Sequence, residues 1–170
     1  MNLSENKLGI NNLFKKFKEN LLSYLYLLKS EFQEVNVLIN ELKNYEPFKL
    51  DVREATPTHN ALNIAVVISY ARNFKRSYGF NNIEEINTQL RKDFTDEENK
   101  LHKRIITERD KEFAHSDASA NDIQIYYREF FSHSRKTVRQ LLEKNELLML
   151  QKMVSKIRTE IDNQIKYINN

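Results

Sequence analysis

The sequence predicts an all-α protein: an antiparallel four-helix bundle with one short extra helix and an extended arm before the last helix. Three observations carry the prediction. Apolar residues recur at steps of three and four through long segments near both ends of the chain, as they do on one stripe of a helix. A segment in the first half is apolar almost all round, which suits a helix at the centre of a bundle. Only two Gly and two Pro occur in 170 residues, fewer turn formers than a sheet-rich domain needs.

The first helix is predicted from about Asn11 to Lys43. Its stripe is Phe14, Phe17, Leu21, Tyr24, Leu28, Phe32, Val35, Ile39 and Leu42, and at 1.5 Å per residue it spans roughly 45–50 Å. Pro47 fits a stop just beyond it. Residues 45–58 read as a connection in which Thr56 or Thr58 can cap the next helix, with Pro57 in its first turn. That helix runs from about His59 to Ser77, with Gly79 where a C-terminal stop belongs. A short helix is predicted from Ile83 to Leu90. Thr95, followed by Asp96, Glu97 and Glu98, then opens a helix to about Ala114, with acids where the helix dipole favours them. Small and capping residues break the chain over 116–122. The β-branched and aromatic run from Ile123 to Phe131 reads as an extended arm or a short strand pair. The last helix starts between Thr137 and Asn145 and carries Leu147, Leu150, Val154, Ile157, Ile161, Ile165 and Ile168 on one stripe. With no repeats and no low-complexity linker, residues 1–170 read as a single domain.

Composition narrows the function. No apolar run approaches the ~18–20 residues that cross a bilayer, and no signal-peptide core is visible. Cysteine is absent, which removes disulfides and thiolate metal sites. A cytoplasmic protein without a membrane partner is the expectation. The net charge of +3 is too small to imply nucleic-acid binding by itself, because Lys and Arg alternate with Asp and Glu. His59, His102 and His133 are scattered, without the i,i+4 pairing of a zinc site, and read as surface or capping residues. Gly-rich phosphate loops, nucleophile elbows and paired catalytic carboxylates do not occur. No cofactor and no metal are expected.

One constellation carries chemistry: Arg109-Asp110-Lys111-Glu112-Phe113-Ala114-His115. Arg109 lies four residues after Ile105 and eight after Leu101, so its stem sits near the apolar face, where a guanidinium is costly unless it meets an anion. His115 falls where the helix ends and can turn back toward Arg109. An Arg can hold a phosphate with two parallel hydrogen bonds, and a His can move a proton near neutral pH. Cleaving RNA through its own 2′-hydroxyl needs a base and an acid, and two facing chains supply both. Arg72 on the second helix is a candidate to reach the same pocket. The opposing possibilities are a salt bridge from Arg72 to Glu108, Asp110 or Asp117, and, for the main pair, an Arg109 paired with an acid beside a capping His115.

The run resembles the motif of HEPN proteins, an Arg and a His separated by four to six residues with a polar residue after the Arg. Here that residue is Asp110. The longer pattern Arg109-Asp110-Lys111-x-x-Ala114-His115-x-Asp117, and the segment Tyr70-Ala71-Arg72-Asn73-Phe74, are similar to HEPN-like proteins of bacterial abortive-infection systems of the AbiU type. The resemblance implies a four-helix core, a homodimer and, in active members, metal-independent ribonuclease activity. Arg109 would stabilise phosphate and His115 would act as general acid and base, with Asp110, Asp117 and Arg72 in support. It also implies an RNA substrate and an antitoxin or other defence-system partner protein. The adenylylated relatives carry a Tyr two residues after the His, where this chain has Asp117. The alternatives are a non-catalytic HEPN-like module binding RNA, a nucleotide or a protein, and a structural helical interaction protein.

Overall fold

Apolar steps of three and four can be buried only if each helix finds a neighbour along its stripe, and five helices do so here. The computed structural model describes residues 3–45, 54–74, 83–110, 124–128, 131–135 and 141–170. In chain order these form α1 (Leu3–Asn44), α2 (Pro57–Arg72), α3 (Ile83–Leu90), α4 (Asp96–Glu108), the strands β1 (Gln124–Arg128) and β2 (Phe131–Arg135), and α5 (Lys144–Asn169). Among the described residues the core is built by helices, and the single sheet is a two-stranded antiparallel ribbon with Tyr126 opposite His133. That ribbon occupies the place of the predicted arm.

Local signals set the helix starts. Thr56 caps α2, its hydroxyl accepting from the His59 amide, and Pro57 supplies the first-turn residue that needs no hydrogen-bond donor. Thr95 and Glu98 form a reciprocal capping box at α4. The amide of Glu143 donates to the Glu146 carboxylate at the start of α5, at 2.9 Å. Helix α2 ends at Arg72, with Asn73 as its cap, five residues before the predicted end. Gly79 lies outside the described residues. Helix α1 begins nearer the N-terminus than the periodicity suggests.

One contiguous hydrophobic cluster receives side chains from all five helices. Phe32, Val35 and Ile39 of α1, Val67 and Tyr70 of α2, Ile86 and Leu90 of α3, Leu101 and Ile105 of α4, and Leu150 and Ile157 of α5 all belong to it. Helix α1 packs on α2 and α5, α4 packs on α2 and α5, and α3 packs on α5. Polar links fasten the α1–α5 seam in reversed order: Lys29 meets Asp162 at 2.7 Å, while Asn40 and Lys43 meet Gln151, at 2.8 and 2.7 Å. The α1 stripe is buried from Leu25 onward, whereas Phe17 and Tyr167 stand 52% and 85% exposed at the far end of the seam. None of the described helices is long and apolar enough to cross a membrane.

Candidate functional site

Arg109 follows the last residue of α4 in helical conformation (φ −55°, ψ −46°), its amide donating to the carbonyls of Ile105 and Ile106. Its side chain is 27% exposed, and Nη1 donates to the carboxylate of its neighbour Asp110 at 2.9 Å. Its Nε is shielded from solvent and has no hydrogen-bond partner among the described residues. The guanidinium is thus paired with an acid, the contact named above as the opposing possibility, and its Nε is left unpaired among the described residues. His115 and Asp117 lie outside the described residues, so of the predicted constellation the structure brings together Arg109 and Asp110.

Arg72 takes different partners. Its guanidinium meets Glu31 and Glu34, both on α1, the latter at 3.3 Å. Tyr70 and Ala71 occupy the core-facing positions of α2, and the next step around the helix carries Arg72 to the acidic face of α1. The acids considered for it at the end of α4 are engaged elsewhere: Glu108 pairs with Arg104 at 3.1 Å, and Asp110 with Arg109.

A second cluster was missed in the sequence. His102 and His59, read as surface or capping residues, are buried, at 6% and 0% exposure. His102 sits on α4 beside Leu101 and three residues before Ile105, at the edge of the buried face. Its Nδ1 is 3.0 Å from the Tyr70 hydroxyl. The imidazole meets the Phe74 ring edge-on, at 4.6 Å between centroids and 79°, and Phe94 stands 6.3 Å away on a further side. Burial, reinforced by the positive charges of Arg91 and Lys103, pushes the His102 pKa down to about 4. Burial likewise drives the Tyr70 phenol well above its ordinary value. Both groups are therefore neutral at pH 7, joined by a neutral hydrogen bond. The available signal was the short step from Leu101 to His102 to Ile105, combined with an aromatic-rich end of α2.

His102 also lines a cleft of about 380 Å³ between the end of α2, α3 and α4, whose other walls include Phe74, Glu84, Asn87, Thr88 and Arg91. The Arg91 Nε donates to the Asn87 carbonyl at 3.1 Å, and no carboxylate pairs with this guanidinium among the described residues. Asn87 donates from Nδ2 to the Phe74 carbonyl at 3.2 Å, while its shielded Oδ1 has no donor. Ile106 completes the wall, and His102, Ile106 and Arg109 follow one another at steps of four and three along α4. The cleft and Arg109 thus share one face, with His102 about 10 Å and Ile106 about 5 Å from Arg109 along the helix axis. A larger cleft of about 550 Å³ is lined mainly by Phe17, Leu21, Ile86, Tyr167 and Ile168. Its buried acid, Glu160, is already held by Lys92 at 2.6 Å. Among the described residues no group of three His, Asp or Glu is placed to hold a metal ion.

Comparison of the chain with protein-family models, with curated proteins and with solved structures gave no match.

Proposed function

We propose that this chain is a HEPN-like, metal-independent endoribonuclease of a phage-defence or toxin system, working as a cytoplasmic homodimer whose helices form an antiparallel four-helix bundle. The reversed order of contacts between α1 and α5 supports the bundle. The observation that carries the function is Arg109. It is held at the end of α4, half-buried, with donors left over after its bond to Asp110. In this scheme the guanidinium binds the scissile phosphate and neutralises charge as the five-coordinate phosphorus forms. His115 of one chain takes the 2′-hydroxyl proton as the oxygen attacks phosphorus. The P–O bond to the next nucleotide breaks, and His115 of the other chain gives a proton to the departing 5′-oxygen. The products are a 2′,3′-cyclic phosphate and a free 5′-hydroxyl. Asp110 and Asp117 orient the pair, and an antitoxin or other defence-system protein restrains it.

A second assignment is favoured by one contact. Asp110 occupies part of the Arg109 fork, which would weaken phosphate binding and suits a non-catalytic module for RNA, a nucleotide or a protein, or a structural helical interaction protein. The assay is cleavage of labelled RNA in a chelator, comparing wild type with His115→Ala. Loss of a positioned acid–base group lowers the rate by roughly 10²–10⁴-fold. Equal rates for the two proteins dispose of the nuclease. Titration of RNA at two salt concentrations then separates an RNA-binding module, whose affinity falls with salt, from a structural protein.

A further inference from the structure

We infer that the cleft between the end of α2, α3 and α4 is a subsite for one nucleotide unit, with its phosphate on Arg91 and its base against Phe74 and His102. The inference leans on the proposed ribonuclease only in taking RNA as one source of that nucleotide; a free nucleoside monophosphate is the other.

Size selects a small ligand. About 380 Å³ is at the low end of the ~300–1,000 Å³ typical of small-molecule clefts. The walls are mixed, with Phe74 and Ile106 supplying apolar surface while Asn87, Thr88 and His102 supply polar atoms. Such a mixture suits a heteroaromatic ring with a hydrogen-bonding edge better than a lipid chain or a bare anion.

Arg91 supplies the charge. Its Nε is anchored to the Asn87 carbonyl, which fixes the plane of the guanidinium and leaves both Nη groups for a ligand. Arg72, Arg104 and Arg109 each hold a carboxylate, whereas Arg91 holds none among the described residues. A phosphate is the anion this fork fits.

His102 supplies orientation. Nδ1 is committed to Tyr70, so Nε2 is the nitrogen left for the cleft. When neutral Tyr70 donates to Nδ1, Nε2 carries the proton and donates to an acceptor on the base. Asn87 is fixed in the cleft wall by its Nδ2 donating to the Phe74 carbonyl at 3.2 Å. An anion beside Arg91 also cancels part of the positive field on the imidazole. Around His102 stand Tyr70 from α2, Glu84 from α3, Arg91 from the turn after it, and Lys103 and Glu98 from α4. A bound nucleotide changes both the charge and the solvent exposure around His102, so the imidazole signal reports occupancy of the cleft. Finally, the cleft lies on the same α4 face as Arg109, so that a strand crossing Arg109 can place an adjoining nucleotide in it.

The test uses the full chain carrying His115→Ala, so that RNA survives the titration. Adenosine and uridine 5′-monophosphates, inorganic phosphate and a labelled ten-nucleotide RNA are titrated against it, with the His102 imidazole followed by NMR. The expected result is saturable nucleotide binding at least tenfold tighter than inorganic phosphate, with a displaced His102 signal that saturates in step with it. A further Arg91→Gln change should weaken it at least tenfold with an unchanged far-UV spectrum. Arg91→Lys, which retains the charge but loses the fork, should fall between the two. RNA affinity falling in parallel identifies the strand as the source, and loss confined to the free nucleotide identifies a small-molecule site. Nucleotide affinity indifferent to both Arg91 changes, or a His102 signal unmoved by nucleotide, overturns the subsite. Its failure is distinct from that of the nuclease, which is decided by cleavage in His115→Ala without reference to Arg91.

Discussion

At the scale of single residues, the buried His102 makes a pH prediction whose sign is fixed by its environment. Its folded-state pKa is about 4, against 6.5 in an unfolded chain. Between those values the unfolded state binds more protons, so stability is complete above pH 6.5 and is lost as the pH falls toward 4. Buried His59, also pushed downward by desolvation, contributes with the same sign. Replacing His102 by Gln removes its share. Urea unfolding from pH 7 to 4.5 should show wild type losing roughly 2–3 kcal/mol more than His102→Gln. Parallel losses in the two proteins would mean that His102 is protonated in the fold. The sequence did not show this residue as buried because a histidine next to Leu101 reads equally well as the polar edge of an amphipathic face. What decides the matter is Tyr70, thirty-two positions away, which satisfies Nδ1. Arg109 was easier to place, since Ile105 and Leu101 fix its side of the helix.

At the scale of elements, local chemistry was readable wherever a start signal and a periodic stripe coincided. Helix α3 has the predicted bounds, and α4 starts at the residue after Thr95 as the sequence implied. The end of α2 was misplaced because the apolar run gives no sharp stop and Gly79 suggested a later one. Asn73 stops it instead, its side chain turning back to the Ser69 carbonyl at 2.8 Å. The capping box at α4 carries more than helix initiation. The Glu98 side chain, only 7% exposed, accepts from the Thr95 amide and also holds Lys156 of α5 at 2.7 Å. Thr95→Ala removes one reciprocal bond and leaves Glu98 and Lys156 paired, so it should cost about 1 kcal/mol in urea unfolding. A loss above roughly 3 kcal/mol would show that the cap and the α4–α5 tie act as one unit.

At the scale of the whole molecule, the helical core followed from periodicity, while the pairing of helices did not, because a stripe states that a face is buried without naming its neighbour. Contacts such as Lys29–Asp162 and Gln151–Asn40 supply that information. The proposed chemistry reaches one level further, to a pair of chains. A single motif histidine gives either a base or an acid in one step, so a shared cleft needs His115 from both copies. This separates a shared site from two independent ones. Wild-type and His115→Ala chains carrying different tags, co-expressed and purified through both, yield a mixed dimer of about twice 20.3 kDa. If each chain cleaves RNA alone, the mixed dimer retains roughly half of the wild-type rate. If one His115 takes the 2′-hydroxyl proton while the other protonates the leaving oxygen, every site in the mixed dimer lacks one of the two groups. Its rate should then fall on the order of 10²-fold. A mixed dimer at half activity would place base and acid within one chain and remove the chemical reason for the dimer.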